Sequence, residues 1–374
     1  MKICFVVNEI GFFISHRFEI AKEFSSKYRV FLITDISKSK SEDLLKLENA
    51  GIEILPLKYR SNSASISEYL RYIRELRKKI NRCSPEYIFY TTIEISMFGA
   101  LIHNLINVKK AFFLITGFGP FFLPNNFKTR LFRAVNKVAY LFLILNKNFK
   151  FVFQNQDDMN IFISKNVSSK SNSLVISGSG INTKEFPFLE RDEKKELTFL
   201  FAARLVKSKG FNEFLEAGKI LTTKYPETKF IVAGKLDFEN PETISEKTYQ
   251  SLKDSKIEFF GEVSYEKMNN LYKQATIFVL PSYREGLPKA ALEAASTGMP
   301  LILTNVPGCS ECVEDGVNGY LIKEKDSNDL IDKMEKFILN PEIISTMSIS
   351  SRKIIEKRFS LNLISKEFLK LIME

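Results

Sequence analysis

The chain has 374 residues, enough for two to three domains of roughly 150 residues each, and its 45% hydrophobic and 26% charged side chains are those of an ordinary globular protein. Its apolar runs fall short of the roughly 20 residues a spanning helix needs, and four cysteines and two histidines are too few for a disulfide scaffold or a His-rich metal site. The net charge of +10 is concentrated: residues 58–150 carry sixteen basic and four acidic side chains, with no carboxylate between Glu94 and Asp157, a pattern suited to phosphates of nucleic acid or of an anionic membrane.

Lys2 precedes an apolar stretch, but Asn8 and Glu9 interrupt it and no small-residue cleavage site follows, so a cytoplasmic protein is expected. Residues 3–8, 29–35, 52–57, 87–92, 110–116 and 149–155 read as strands, nearly continuous in apolar residues as buried parallel strands are. Helical patterns lie between them; in residues 67–80, Leu70, Ile73, Leu76 and Ile80 form the expected apolar stripe. This alternation predicts a doubly wound parallel sheet over residues 1–180. Residues 181–196, with Pro187 and a dense charge run, read as a linker. The alternation resumes over residues 197–374, with strands at 198–203, 229–233, 256–260, 276–280 and 300–304, helices at 211–224, 265–274 and 288–297, and a helical tail. The fold class is therefore α/β, two Rossmann-like doubly wound domains facing a cleft, and the carboxyl ends of their strands are the first place to look for a ligand.

Residues 281–293 run Pro-Ser-Tyr-Arg-Glu-Gly-Leu-Pro-Lys-Ala-Ala-Leu-Glu, from a strand end through a loop into a helix. Free N–H groups and the helix dipole suit an anionic or hydroxyl-rich ligand there. Glu285 in the loop and Glu293 about one and a half turns into the helix are spaced for two hydroxyl groups of one extended ligand; the alternative is a turn and a helix with two solvated glutamates. Arg204 and Lys209, in the segment Ala203–Gly210 after another strand, are spaced to hold one diphosphate, or are solvated charges. Cys309 and Cys312 lack a second ligand pair and a nearby histidine, which argues against zinc.

Taken together, the Glu285/Glu293 spacing, the Arg204/Lys209 pair, Val306-Pro307-Gly308-Cys309-Ser310-Glu311 and Gly316-Val317-Asn318-Gly319 resemble family 4 retaining glycosyltransferases of the two-domain GT-B fold. Phe12-Phe13-Ile14-Ser15-His16-Arg17, Ile115-Thr116-Gly117-Phe118-Gly119, Gln154-Asn155-Gln156-Asp157-Asp158 and Gly178-Ser179-Gly180 resemble the subgroup that builds capsule, O-antigen or protein-linked glycans on a lipid diphosphate. The resemblance implies that Arg204 and Lys209 bind the donor diphosphate. Glu285 would bond a donor-sugar hydroxyl, aided by the N–H groups of Gly286 and Leu287. Glu293 would hold the ribose, and Glu262 would belong to the wall around the nucleobase. Gly11, His16, Gly117 and Gly119 would lie at loops on the acceptor side, a local hydrogen bond being the other reading for His16; His103, inside a helical run, reads as a core residue. The subgroup has a basic residue and proline where this chain has Glu94 and Ile95, a departure for which no donor or acceptor contact is assigned there.

A helix expected from residue 127 to about 147 would place Arg130, Arg133 and Lys137 on one face, suited to an anionic membrane surface; the alternative is an ordinary core-facing helix with a solvated basic edge. The expected partners are a nucleotide-sugar donor, UDP-linked by the same resemblance, and a lipid-linked glycan acceptor at the inner face of the cell membrane; no Asp-x-Asp pair stands at a strand end, which agrees with the metal independence that the resemblance implies, and no cofactor is expected. A nucleotide-sugar epimerase of the same architecture is the alternative. A nucleic-acid-binding protein would use the basic block, but no recognition signature supports nucleic acid as a partner.

Overall fold

A computed structural model describes residues 1–59, 66–117, 138–140, 143, 148–191, 196–236 and 242–373. The chain forms two compact units, Met1–Ser179 together with the residues from Ile364 onward, and Gly180–Leu363.

The first unit holds a parallel sheet of β1 (Lys2–Glu9), β2 (Arg29–Asp35), β3 (Ile52–Pro56), β4 (Tyr87–Thr91), β5 (Lys110–Ile115), β6 (Phe149–Phe153) and β7 (Ser173–Val175), in the order β3-β2-β1-β4-β5-β6-β7. The abundance of phenylalanine, 34 residues against no tryptophan, has a structural use here. Phe5, Phe89 and Phe112 are register partners on β1, β4 and β5. Their rings stack at 5.0 Å and 4.7 Å, and Tyr90 stacks on Phe113 at 5.2 Å in the next register position, which puts that pair on the opposite face. Both faces are buried, which is why the strands read as unbroken apolar runs.

Helix Ile66–Cys83 packs through Tyr72, Leu76, Ile80 and Cys83. The buried stripe is thus rotated from the expected one: Leu70 is 48% exposed because the larger Tyr72 ring, set against Tyr59 and Phe98, takes the inward position. Val138–Tyr140 and Leu143 are the only described residues of the expected 127–147 helix; Gly119, Arg130, Arg133 and Lys137 lie outside the described residues.

The second unit is also wholly parallel: β8 (Thr198–Ala202), β9 (Lys229–Ala233), β10 (Glu258–Gly261), β11 (Ile277–Leu280), β12 (Leu301–Thr304) and β13 (Gly319–Ile322), in the order β10-β9-β8-β11-β12-β13. Two boundaries differ from the sequence reading. The first part of the expected linker packs into the second unit. The Ile181 N–H donates to Phe359 O, Phe186 is buried, and the buried Arg191 guanidinium donates to Tyr272 O, Ala275 O, Thr297 O and Thr297 Oγ1. Burial lowers its pKa to about 10, still far above neutrality. The tail, expected with the second domain, divides: helix Leu361–Met373 enters the first unit at Ile364, where Phe368 packs on Phe89 at 6.1 Å and takes the Arg17 guanidinium over its face at 5.5 Å.

Candidate functional site

In a doubly wound sheet the ligand crevice opens beyond the carboxyl ends of the two strands where the winding reverses. In the second unit those strands are β8 and β11, and the two loops that follow them are the segments singled out from sequence. Lys209, after β8, and Glu285, after β11, stand 76 residues apart and form a half-buried ion pair, with Ser282 Oγ donating to the same carboxylate oxygen at 2.7 Å.

The loops meet because Gly210 has φ +69, where a side chain is strained, and because its missing Cβ leaves room for Pro281 O, which such an atom would meet at 2.0 Å. The Tyr283 N–H donates to Ser208 O at 2.9 Å. A third loop, after β12, closes on them: Gly308 has φ +82, and a Cβ there would lie 2.5 Å from Glu285 O and 2.6 Å from Gly286 O. Below it the Cys309 thiol is pushed up by burial first and by the Glu285 charge second, and the Cys312 thiol also by burial, so both are inert thiols.

Arg204 is exposed and makes no ion pair among the described residues, whereas Gly286 is buried and Leu287 half-buried beside Glu285. Pro288 caps helix Lys289–Ser296, its carbonyl accepting from Ala291 and Leu292. Glu293 is only 4% exposed: Lys289 pairs with Oε1 at 3.0 Å, and the Tyr272 hydroxyl donates to Oε2 at 3.0 Å. Glu262 is exposed just past β10, 3.8 Å from Lys235. Sequence reasoning missed Ser282, Tyr272, Lys289 and the Tyr283 hydroxyl, which donates to Glu213 Oε1 at 2.7 Å. Of these Ser282, Tyr283 and Lys289 carried a signal, by standing inside the motif; Tyr272 carried none.

In the first unit the winding reverses between β1 and β4. Gly11 and His16 follow β1, not in the expected loop but in helix Ile10–His16, formed because Phe13 packs edge-on against Phe5 at 5.8 Å. His16 stacks on Phe12 at 4.3 Å and its Nδ1 is 2.7 Å from Ser15 Oγ. After β4, Thr92 holds φ +79, and burial pushes the following Glu94 carboxyl above its ordinary range. Gly117 follows β5 with φ +136. Arg17, also missed, is buried with Nη1 donating to Gly178 O and Ser179 Oγ, each at 3.2 Å, which ties two of the quoted motifs together. His103 is a buried core residue, its ring set edge-on against Phe113 and Phe149.

Residues 182–355 match the profile of the family described as "Glycosyl transferases group 1". The chain is 27% identical over 358 residues, 92% of its length and 91% of the relative's, to the N,N'-diacetylbacillosaminyl-diphospho-undecaprenol alpha-1,3-N-acetylgalactosaminyltransferase of Campylobacter jejuni. It is 27% identical over 200 residues, 50% of its length and 51% of the relative's, to the UDP-Gal:alpha-D-GlcNAc-diphosphoundecaprenol alpha-1,3-galactosyltransferase of Escherichia coli. Among solved structures, the sucrose-phosphate synthase of Thermosynechococcus elongatus superposes with a TM-score of 0.80 at 16% identity, covering 100% of this chain and 98% of that one. Anabaena HepE in complex with UDP-glucose superposes at 0.78 and 16% identity, covering 100% and 99%. At such identities the likeness speaks to the fold alone, and the fold is GT-B.

Proposed function

From the match of residues 182–355 to the glycosyl transferases group 1 family, we propose that the protein is a glycosyltransferase that moves a hexose or N-acetylhexosamine, with retention of configuration, from a nucleotide diphosphate sugar to a polyprenyl-diphosphate-linked glycan. The carrying observation is the meeting of Lys209 and Glu285 at the point where the second sheet reverses its winding. A UDP-linked donor and a lipid-linked acceptor are supported by the names of the relatives, one of which uses UDP-galactose and both of which act on undecaprenyl diphosphates.

As the glycosidic bond lengthens, negative charge gathers on the departing diphosphate. Lys209 and the exposed Arg204 are the cations at hand to hold it, and held in place beforehand they stabilise the transition state more than the ground state. A donor-sugar hydroxyl then takes up Glu285, whose carboxylate keeps lone pairs beyond those given to Lys209 and Ser282. Gly286 and Leu287 add backbone N–H groups. Glu293, held between Lys289 and Tyr272, retains acceptor capacity for the ribose, and Glu262 stands at the edge where the base would lie. No nucleophile is assigned. Gly11, His16, Gly117 and Gly119 are proposed for the acceptor, and the enzyme is proposed to work at the cytoplasmic face of the membrane. Among the described residues no helix is long and apolar enough to cross a membrane. Docking on anionic lipid is supported by helix Ile66–Cys83, which turns Arg71, Arg74, Arg77, Lys78 and Arg82 to solvent, and by the basic Arg130, Arg133 and Lys137 of the same sequence block.

The test is nucleotide release from individual UDP- and GDP-sugars with a polyprenyl-diphosphate glycan. Lys209→Ala and Glu285→Ala should each lower turnover about a hundredfold or more. Near-normal turnover in either would refute the assignment.

A further inference from the structure

Tyr283 stands inside the candidate site, two residues before Glu285, and its hydroxyl contacts Glu213 in the first turn of helix Phe211–Lys224. We infer that Tyr283 is a positioning residue for the transfer reaction, a strut that fixes the loop bearing Glu285 to the segment bearing Lys209; the inference rests on the function proposed above.

Three contacts converge on this one residue. Its N–H donates to Ser208 O at 2.9 Å, one residue before Lys209. Its hydroxyl donates to Glu213 Oε1 at 2.7 Å, four residues after Lys209. Its ring carries the Lys325 ammonium at 4.8 Å, and Lys325 itself holds φ +58, a left-handed conformation that costs a lysine about 1 kcal/mol and is kept here all the same. The other oxygen of Glu213 is buried without a partner among the described residues, so the tyrosine hydroxyl is the group that holds this carboxylate there. Burial first and the Glu213 contact second push the phenol well above its ordinary range, so it remains a donor at any working pH. Two residues further on stands Glu285. Loosening Tyr283 therefore shifts the carboxylate against the lysine without removing either, which is the kind of displacement that costs rate rather than nucleotide affinity.

The test compares Tyr283→Phe, Glu213→Ala and Glu213→Gln with wild type in kcat, in donor KM and in UDP affinity by calorimetry. Tyr283→Phe and Glu213→Ala should each lower kcat about tenfold with UDP affinity unchanged within about twofold. The double variant should be no slower than either single one. Glu213→Gln, which keeps an accepting oxygen, should recover most of the loss. Wild-type kcat in Tyr283→Phe, or equal losses in kcat and UDP affinity together with a lower melting temperature, would overturn the inference in favour of a purely structural tyrosine. A wild-type protein that releases no nucleotide from any sugar donor would instead sink the proposed function, and this inference with it.

Discussion

Replacing Gly210 by alanine tests whether the two site loops depend on their close approach. The new methyl group would stand 2.0 Å from Pro281 O and 2.6 Å from its carbonyl carbon, whereas real Cβ atoms stay beyond 3.0 Å of such neighbours, so backbone must part from backbone by about 1 Å. The left-handed φ of +69 adds about 1 kcal/mol of strain for alanine, and overpacking adds about 1–3 kcal/mol, for a total of about 2–4 kcal/mol. In a unit of this size each kcal/mol lowers the melting temperature by about 2–4 °C, so scanning calorimetry should show a drop of about 4–16 °C. Because Pro281 leads into Tyr283 and Glu285, the same 1 Å displacement should slow nucleotide release by up to about a hundredfold in whatever fraction remains folded. A Gly210→Ala protein that melts and turns over like wild type would show that the loops do not need this contact, and the account of the site would fail.

Arg191→Ala removes the guanidinium donors from Tyr272 O, Ala275 O and Thr297 O, of which Thr297 O keeps the Leu189 N–H, and should lower unfolding free energy in urea by about 3 kcal/mol; a change under about 1 kcal/mol would mean the guanidinium is not structural. Burial holds the His103 imidazole at a pKa of about 4 against an ordinary 6.5, so the unfolded chain takes up the proton first as pH falls. Stability should therefore decline between pH 6.5 and 4 by up to about 3 kcal/mol from this residue. His103→Gln should lose that part of the slope, and identical pH profiles would contradict it. Reversing Arg71, Arg74, Arg77 and Arg82 to glutamate should weaken co-sedimentation with vesicles rich in anionic lipid at least about a hundredfold, at roughly 1 kcal/mol for each basic residue removed; undiminished sedimentation would detach the helix from the membrane.

The parallel sheets were legible because strands buried on both faces leave a plain mark: residues 29–35 and 229–233 were bounded as the structure has them, and so was the helix 211–224 between strands. Helix Ile10–His16 was not, since Gly11 and two phenylalanines favour a loop or strand locally and only the packing of Phe13 on Phe5 decides otherwise. The strands Ser173–Val175 and Gly319–Ile322 are too short for a periodic signal. At the site, residues that sit in loops after strands were readable from their spacing. Their supports were not: Glu213 lies 70 residues from Tyr283, and an acidic residue in a first helical turn reads simply as a charge complementing the dipole. Leu70 shows the same limit on a helix, where the stripe fitted either rotation until Tyr72 found Phe98.

The C-terminal helix sets an order of events. The first unit's core needs Ile364, Phe368, Leu371 and Ile372, and Phe368 closes both on Phe89 and over the guanidinium of Arg17. During vectorial synthesis, then, the part made first is completed last, while the second unit, continuous from Gly180 to Leu363, has all of its own chain beforehand. A fragment ending at Ser179 would emerge with that hydrophobic seat open and Arg17 uncovered, so an expression boundary drawn between the units would expose the face that helix Leu361–Met373 covers.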